Sequence, residues 1–99
     1  MNIFELYLDK IISIIVGLGK KNQLIIPKTF NGINAEIPPQ KFECDISTNV
    51  AMILSKLNET SPIQLAEKLA VEIKNSDKQI ESISVAKPGF INIKFKKMA

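Results

Sequence analysis

Residues 85–97 read Val85-Ala86-Lys87-Pro88-Gly89-Phe90-Ile91-Asn92-Ile93-Lys94-Phe95-Lys96-Lys97. Pro88-Gly89 predicts a turn, because Pro fixes φ and Gly accepts positive φ. Beyond it the side chains alternate with period 2. Ile91, Ile93 and Phe95 fall on one face of a strand, and Phe90, Asn92, Lys94 and Lys96 on the other. The first set is wholly apolar and is expected to face a helical layer; the second then faces solvent. Before the turn, Ile83 and Val85 share one face of a second strand.

Outward from this hairpin, helical signals dominate. Pro62 follows Ser61, and Gln64 stands at the third position, so a cap, a Pro at the first helical residue and an N3 partner coincide. Leu65, Ala66, Leu69, Ala70 and Ile73 form the buried stripe of that helix, which Asn75-Ser76-Asp77 end. Upstream, Ser47 or Asp45 is the candidate cap of another helix, with Ile46, Val50, Ile53, Leu54 and Leu57 on one face and residues 58–61 as its break. Asn2 and Glu5 suit the cap and N3 positions of an opening helix. Phe4, Leu8, Ile11, Ile12, Ile15 and Leu18 carry its helical spacing, with Glu5, Asp9 and Ser13 on the solvated side. Gly17 and Gly19, followed by Lys20 and Lys21, end it. Two short strands are expected between the first two helices. One is residues 24–26, limited by Pro27. The other is residues 33–37, where Ile33, Ala35 and Ile37 alternate after the Asn31-Gly32 turn signal and Pro38-Pro39 stop the run. The order α-ββ-αα-ββ predicts an α+β fold of two layers, with helices packed on one face of a small antiparallel sheet.

Composition narrows the function. The chain has 99 residues, 45% of them hydrophobic and 23% charged, which suits one domain (residues 1–99) with a core. One Cys and no His leave no internal disulfide, no Cys/His zinc site and no Ser-His or Cys-His nucleophile pair. The longest unbroken apolar run of the opening helix, residues 14–18, is far short of the ~18 residues of a membrane span. No basic segment precedes it, so no signal peptide is expected. The expected location is cytoplasmic.

Charge is uneven. Residues 1–86 hold nine Lys against ten acidic residues, net −1, whereas residues 87–99 hold Lys87, Lys94, Lys96 and Lys97 and no acid, net +4. A local basic segment suits phosphates or acidic surfaces. It equally suits Lys guarding a sheet edge. Lys supplies a point charge, not the bidentate fork of Arg. The outward set adds further groups: an aromatic ring to stack on an unpaired base, an amide for a base edge and ammonium groups for phosphate, the group types that read single-stranded RNA. The alternative is that Phe90 folds back over the turn against Pro88 or a sheet edge.

These stretches resemble a known family. Cys44-Asp45-Ile46-Ser47-Thr48-Asn49-Val50-Ala51-Met52 is similar to the Gly-Asp-x-Ala-Thr-Asn-x-Ala-Met segment in the N-terminal "additional" domain of arginyl-tRNA synthetases. Residues 33–38 look like its preceding Glu-x-Pro strand, and residues 62–73 like its Leu-Ala-Glu-x-Leu helix. Residues 85–93 closely match the closing Val-Ala-x-Pro-Gly-Phe-Ile-Asn-Leu signature. The resemblance implies a domain that contacts the D-loop at the elbow of tRNA(Arg), in an enzyme that joins arginine to tRNA with ATP and Mg²⁺. It implies RNA contact by Phe90 and Asn92, with Lys87 beside them; Lys94 and Lys96 join that surface as candidate phosphate contacts. Asp45 and Asn49 are read as backbone-capping groups at the strand-to-helix turn.

Cys44 departs from the family's Gly. At a positive-φ position it would cost roughly 1 kcal/mol or more. With no base beside it, it is not expected to be catalytic. No catalytic residue, cofactor site or metal site is expected within residues 1–99: there is no His-x-Gly-His motif, and Gly17-x-Gly19 lacks the rest of a phosphate-loop fingerprint. The catalytic and anticodon-binding domains are expected elsewhere in the synthetase, in cis. The competing reading is a structural or protein-interaction module packed on the synthetase core or on another protein. Its sign would be an apolar patch away from the strand, for instance on the Ile-rich first helix.

Overall fold

The computed structural model describes residues 2–38 and 43–97. Its elements are α1 (Ile3–Lys20), β1 (Ala35–Glu36), β2 (Ile46–Thr48), α2 (Val50–Ser55), α3 (Pro62–Ser76), β3 (Ile80–Ala86) and β4 (Phe90–Phe95). The strands form one antiparallel sheet in the order β1-β2-β4-β3. The fold is therefore α+β in the expected element order. Its core joins Ile11 and Ile15 of α1, Leu54 of α2, Leu69 and Ile73 of α3, and Ile46, Ile91 and Ile93 of the sheet, all at most 1% exposed.

The third helix forms where the sequence places it. Ser61 Oγ accepts the Gln64 N–H at 3.1 Å, Pro62 opens the helix, and all five stripe residues are buried. In α1, Asn2 Oδ1 accepts the Phe4 N–H at 2.8 Å. The buried stripe is Tyr7, Ile11, Ile15 and Leu18, while Phe4 and Leu8 are only partly covered.

Several boundaries differ from the sequence reading. Residues 24–26 are not a strand. Asn58 takes the backbone groups a strand partner would need: its Oδ1 accepts the Ile25 N–H at 2.7 Å and its Nδ2 donates to the Ile25 carbonyl at 3.1 Å. The expected strand at 33–37 shrinks to Ala35–Glu36, and Pro39 lies outside the described residues. The second strand is instead Ile46–Thr48, read above as the opening of α2. A three-residue strand is too short to show alternation, and the Ile46-to-Val50 spacing of four imitates a helical stripe.

Helix α1 runs through both glycines. It ends in a Schellman motif at Asn22 (φ 60°), with Gln23 N–H donating to the Leu18 carbonyl at 2.9 Å and Asn22 N–H to that of Gly19 at 3.0 Å. A β-bulge between Ile80 and Ser82 explains why Ile80 and Ile83, three apart, both turn inward.

The β3–β4 turn holds the most consequential difference. Gly89 does not adopt positive φ; Gly32 does, at 90°. What Gly89 supplies is space. A Cβ there would lie 2.7 Å from Pro62 Cβ and 3.0 Å from Met52 Cγ. The turn is pressed against the first residue of α3, which fixes where Phe90 begins.

Candidate nucleic-acid interface

Strand pairing brings one polar row across the sheet face opposite Ile46, Ile91 and Ile93. Asn92 stands opposite Ser47 of β2 on one side and Ser84 of β3 on the other; Ser47 in turn stands opposite Glu36 of β1. Directly opposed residues in antiparallel strands share a face. Glu36–Ser47–Asn92–Ser84 is thus a continuous band of hydrogen-bonding side chains. Phe90, one pleat along β4 from Asn92, is 38% exposed. It is not among the residues that form or pack against the core cluster.

Asn92 corrects the expectation that it faces solvent: it is 3% exposed. It points to the expected face but sits between strands on both sides, with Phe90 and Lys94 as its neighbours along β4. Its Oδ1 is buried and receives no hydrogen bond from any described residue. A buried acceptor left without a donor costs about 1–3 kcal/mol, so the amide sits where a hydrogen-bond partner is favourable, beneath the surface that Phe90 and Lys94 present.

The basic residues do not form one patch. Lys87 is exposed in the turn beside Phe90. Lys94 stands about 13 Å along the strand from Phe90 at 3.3 Å per residue, and its Nζ lies 3.5 Å from Glu81 Oε2. Lys96 stands about 20 Å from Phe90 by the same rise and borders a groove beside α1. Lys87 and Asn92 therefore accompany Phe90, Lys94 is partly neutralised, and Lys96 is not brought to this site.

Asp45 and Asn49 side chains both bind backbone, but neither makes a capping hydrogen bond to α2, although Asn49 occupies its N-cap position and its carbonyl accepts the Ile53 N–H at 3.1 Å. Asp45 Oδ2 accepts the Phe95 N–H at 2.8 Å, and the Asp45 N–H donates to the Ile93 carbonyl at 2.8 Å, which extends the β2–β4 ladder. Asn49 Oδ1 accepts the Asn34 N–H and Asn49 Nδ2 donates to the Gly32 carbonyl, each at 2.8 Å, tying the turn before β1 to the start of α2. The first turn of α2 is served by Thr48 Oγ1, which accepts the Val50 N–H at 3.3 Å.

Cys44 is not among the residues with positive φ, so it carries no left-handed strain. Burial, reinforced by the neighbouring Asp45 charge, raises its thiol pKa and disfavours the thiolate.

Sequence reading missed Ser47 and Ser84 as members of this face. Ser84 was legible as the polar residue between Ile83 and Val85. Ser47 was not, because its strand was read as helix.

The family comparison decides what this arrangement belongs to. Residues 7–95 match the family described as Arginyl tRNA synthetase N terminal domain. The chain belongs to that family. It is 64% identical over 96 residues to the arginine–tRNA ligase of Pelagibacter ubique, covering 97% of this chain and 17% of that relative. It is 35% identical to the arginine–tRNA ligase of Methylobacterium nodulans and 36% identical to that of Bartonella henselae, covering 95% and 98% of this chain and 16% of each relative. The chain thus spans about a sixth of the length of these relatives. No described helix is long and apolar enough to cross a membrane. Among the described residues no group of three His, Cys, Asp or Glu side chains gathers to hold a metal ion.

Proposed function

We propose that this domain docks on the D-loop at the elbow of tRNA(Arg) and orients the tRNA for ATP- and Mg²⁺-dependent arginylation, carried out elsewhere in a cytoplasmic arginine–tRNA ligase. The carrying observation is half-exposed Phe90 beside Asn92 on the sheet face opposite Ile91 and Ile93, within the polar row of Ser47 and Ser84. An aromatic ring accepts a stacked base, and the Asn92 amide can hydrogen-bond a base edge where its neighbours along the strand move aside. Lys87, exposed in the turn three residues before Phe90, supplies a cation for a phosphate of the bound loop. The residues do positioning, not chemistry.

One stacked base contributes about 1–3 kcal/mol, and a few Lys–phosphate contacts add a salt-sensitive increment. The domain alone therefore binds weakly, with Kd on the order of 10–1000 μM. Phe90→Ala is expected to weaken binding about tenfold or more, measured by fluorescence anisotropy with labelled tRNA(Arg). Unchanged affinity rules out stacking by this ring.

A further inference from the structure

A groove of about 610 Å³ runs between α1 and the C-terminal end of β4, lined by Ile3, Leu6, Tyr7, Phe95 and Lys96 among others. Its wall is rigid. The Tyr7 hydroxyl donates to Asp77 Oδ2 at 3.0 Å, Lys10 Nζ reaches the same oxygen at 3.2 Å, and the Tyr7 and Phe95 rings meet edge to face at 5.2 Å. Its lip is apolar and uncovered: Ile3 is 49% and Leu6 50% exposed, one helical turn apart. Singly exposed aliphatics are ordinary on a surface; what sets Ile3 and Leu6 apart is that they adjoin one preformed groove with Phe95, a contiguous apolar surface of the kind that docks another segment.

Strand β4 ends inside this groove. Phe95 and Lys96 line it, and the Lys96 N–H is pinned to the Gln79 carbonyl at 2.7 Å. The matched stretch is 17% of the Pelagibacter relative and is by family description N-terminal, so the bulk of such a polypeptide follows β4. Whatever comes next in the ligase emerges at the groove's edge. A short tether holds it there at an effective concentration on the order of millimolar. The groove also opens on the side of Phe95, opposite the face that carries Phe90, so both surfaces can be occupied together.

We propose that this groove is the seat of the ligase's own following segment, which lays apolar side chains against Ile3, Leu6 and Phe95 and so fixes the domain's orientation on the rest of the enzyme. The proposal rests on family membership and not on the tRNA reading.

The test uses the full-length ligase carrying this domain. Leu6→Cys, Ile3→Cys and the control Val71→Cys (Val71 is 57% exposed on α3) are labelled separately with a maleimide and followed by peptide mass spectrometry. Leu6→Cys and Ile3→Cys are expected to react at least tenfold more slowly than Val71→Cys, at every protein concentration over a hundredfold range, with or without tRNA. A position near a helix N-terminus lowers a thiol pKa and speeds labelling, so slow labelling there reports cover. Equal rates overturn the proposal. So does protection that fades on dilution, which assigns the groove to a second copy, and protection that needs tRNA, which assigns it to nucleic acid. A Phe90→Cys thiol left unprotected by tRNA while Leu6→Cys stays covered refutes the tRNA reading and leaves this proposal standing.

Discussion

Two glycine-to-alanine substitutions should move stability in opposite directions. At Gly89 an added Cβ lies 2.7 Å from Pro62 Cβ and 3.2 Å from the Pro62 carbonyl carbon. Ordinary carbon contacts lie at about 3.5–4.0 Å, so something must yield by most of an ångström. Met52, at 3.0 Å, can change rotamer. Pro62 cannot, because its Cβ belongs to a ring fixed to the first turn of α3. Overpacking of this kind costs about 1–3 kcal/mol. The reduced freedom of the unfolded chain returns about 0.4–1 kcal/mol. Because the Pro62 ring cannot yield, the cost lies in the upper half of that range, and Gly89→Ala is expected to destabilise by about 1–2.6 kcal/mol. Gly17 lies at the start of the last turn of α1 with nothing within 4 Å of a built Cβ. Gly17→Ala is expected to stabilise by about 0.5–1 kcal/mol through helix propensity alone. For a domain of this size, 1 kcal/mol moves Tm by about 4–8 °C, so the two variants should separate clearly in urea or thermal unfolding at unchanged m-value. A Gly89→Ala variant as stable as the parent would refute the account of the turn. It would show that Gly89 is not wedged against α3, and that Phe90 is not positioned by that contact.

Three further outcomes follow from the site and its surroundings. Asn92→Leu removes a buried acceptor that has no donor among the described residues while keeping similar volume, so stability should stay within about 1 kcal/mol of the parent or rise. Its affinity for tRNA(Arg) should fall, and a loss of more than about 2 kcal/mol in urea unfolding would mean that the amide is structural. Lys94→Ala removes one cation from the strand and leaves Glu81 unpaired, so the slope of log K against log salt should flatten by about one unit or less; an unchanged slope argues against phosphate contact there. Burial raises the Asp77 pKa, but hydrogen bonds from the Gln79 N–H, Lys10 and Tyr7, with the Lys10 charge, outweigh it and the net shift is downward. A depressed carboxyl pKa contributes stability above the ordinary value of about 3.9 and loses it as the pH falls below. Burial and the Asp77 hydrogen bond raise the Tyr7 pKa, so its contribution is complete below about pH 10 and is lost as the pH rises further. Unfolding followed across pH should show both losses in the parent and neither the acid-side nor the full alkaline-side loss in Asp77→Asn.

The sequence exposed those elements whose signals were redundant. Helix α3 had a cap, a Pro at its first residue and a five-residue stripe, and all of them hold in the structure. The inward set of β4 was legible because six residues suffice to show period 2. Where one signal stood alone it misled. Residues 24–26 had β-branched character but no backbone groups left for a strand, since Asn58 occupies them. Residues 46–48 form a strand too short to alternate. Gly89 looked like a conformational requirement and is a steric one, which depends on Pro62 and Met52 lying 27 and 37 residues away in sequence. The site was half legible. Alternation placed Phe90 and Asn92 on the outer face, but only strand order reveals that Asn92 is sheltered between Ser47 and Ser84, and only strand length separates Lys96 from Phe90.

The central claim is that the face around Phe90 and Asn92 receives tRNA. An amide-resolved NMR titration of this chain with tRNA(Arg), at low and at physiological salt, tests it most directly. The account predicts shifts centred on residues 87–92 and on Ser47 and Ser84, abolished by Phe90→Ala. Shifts confined to α1 and the groove beside it, or none up to millimolar tRNA, would contradict it.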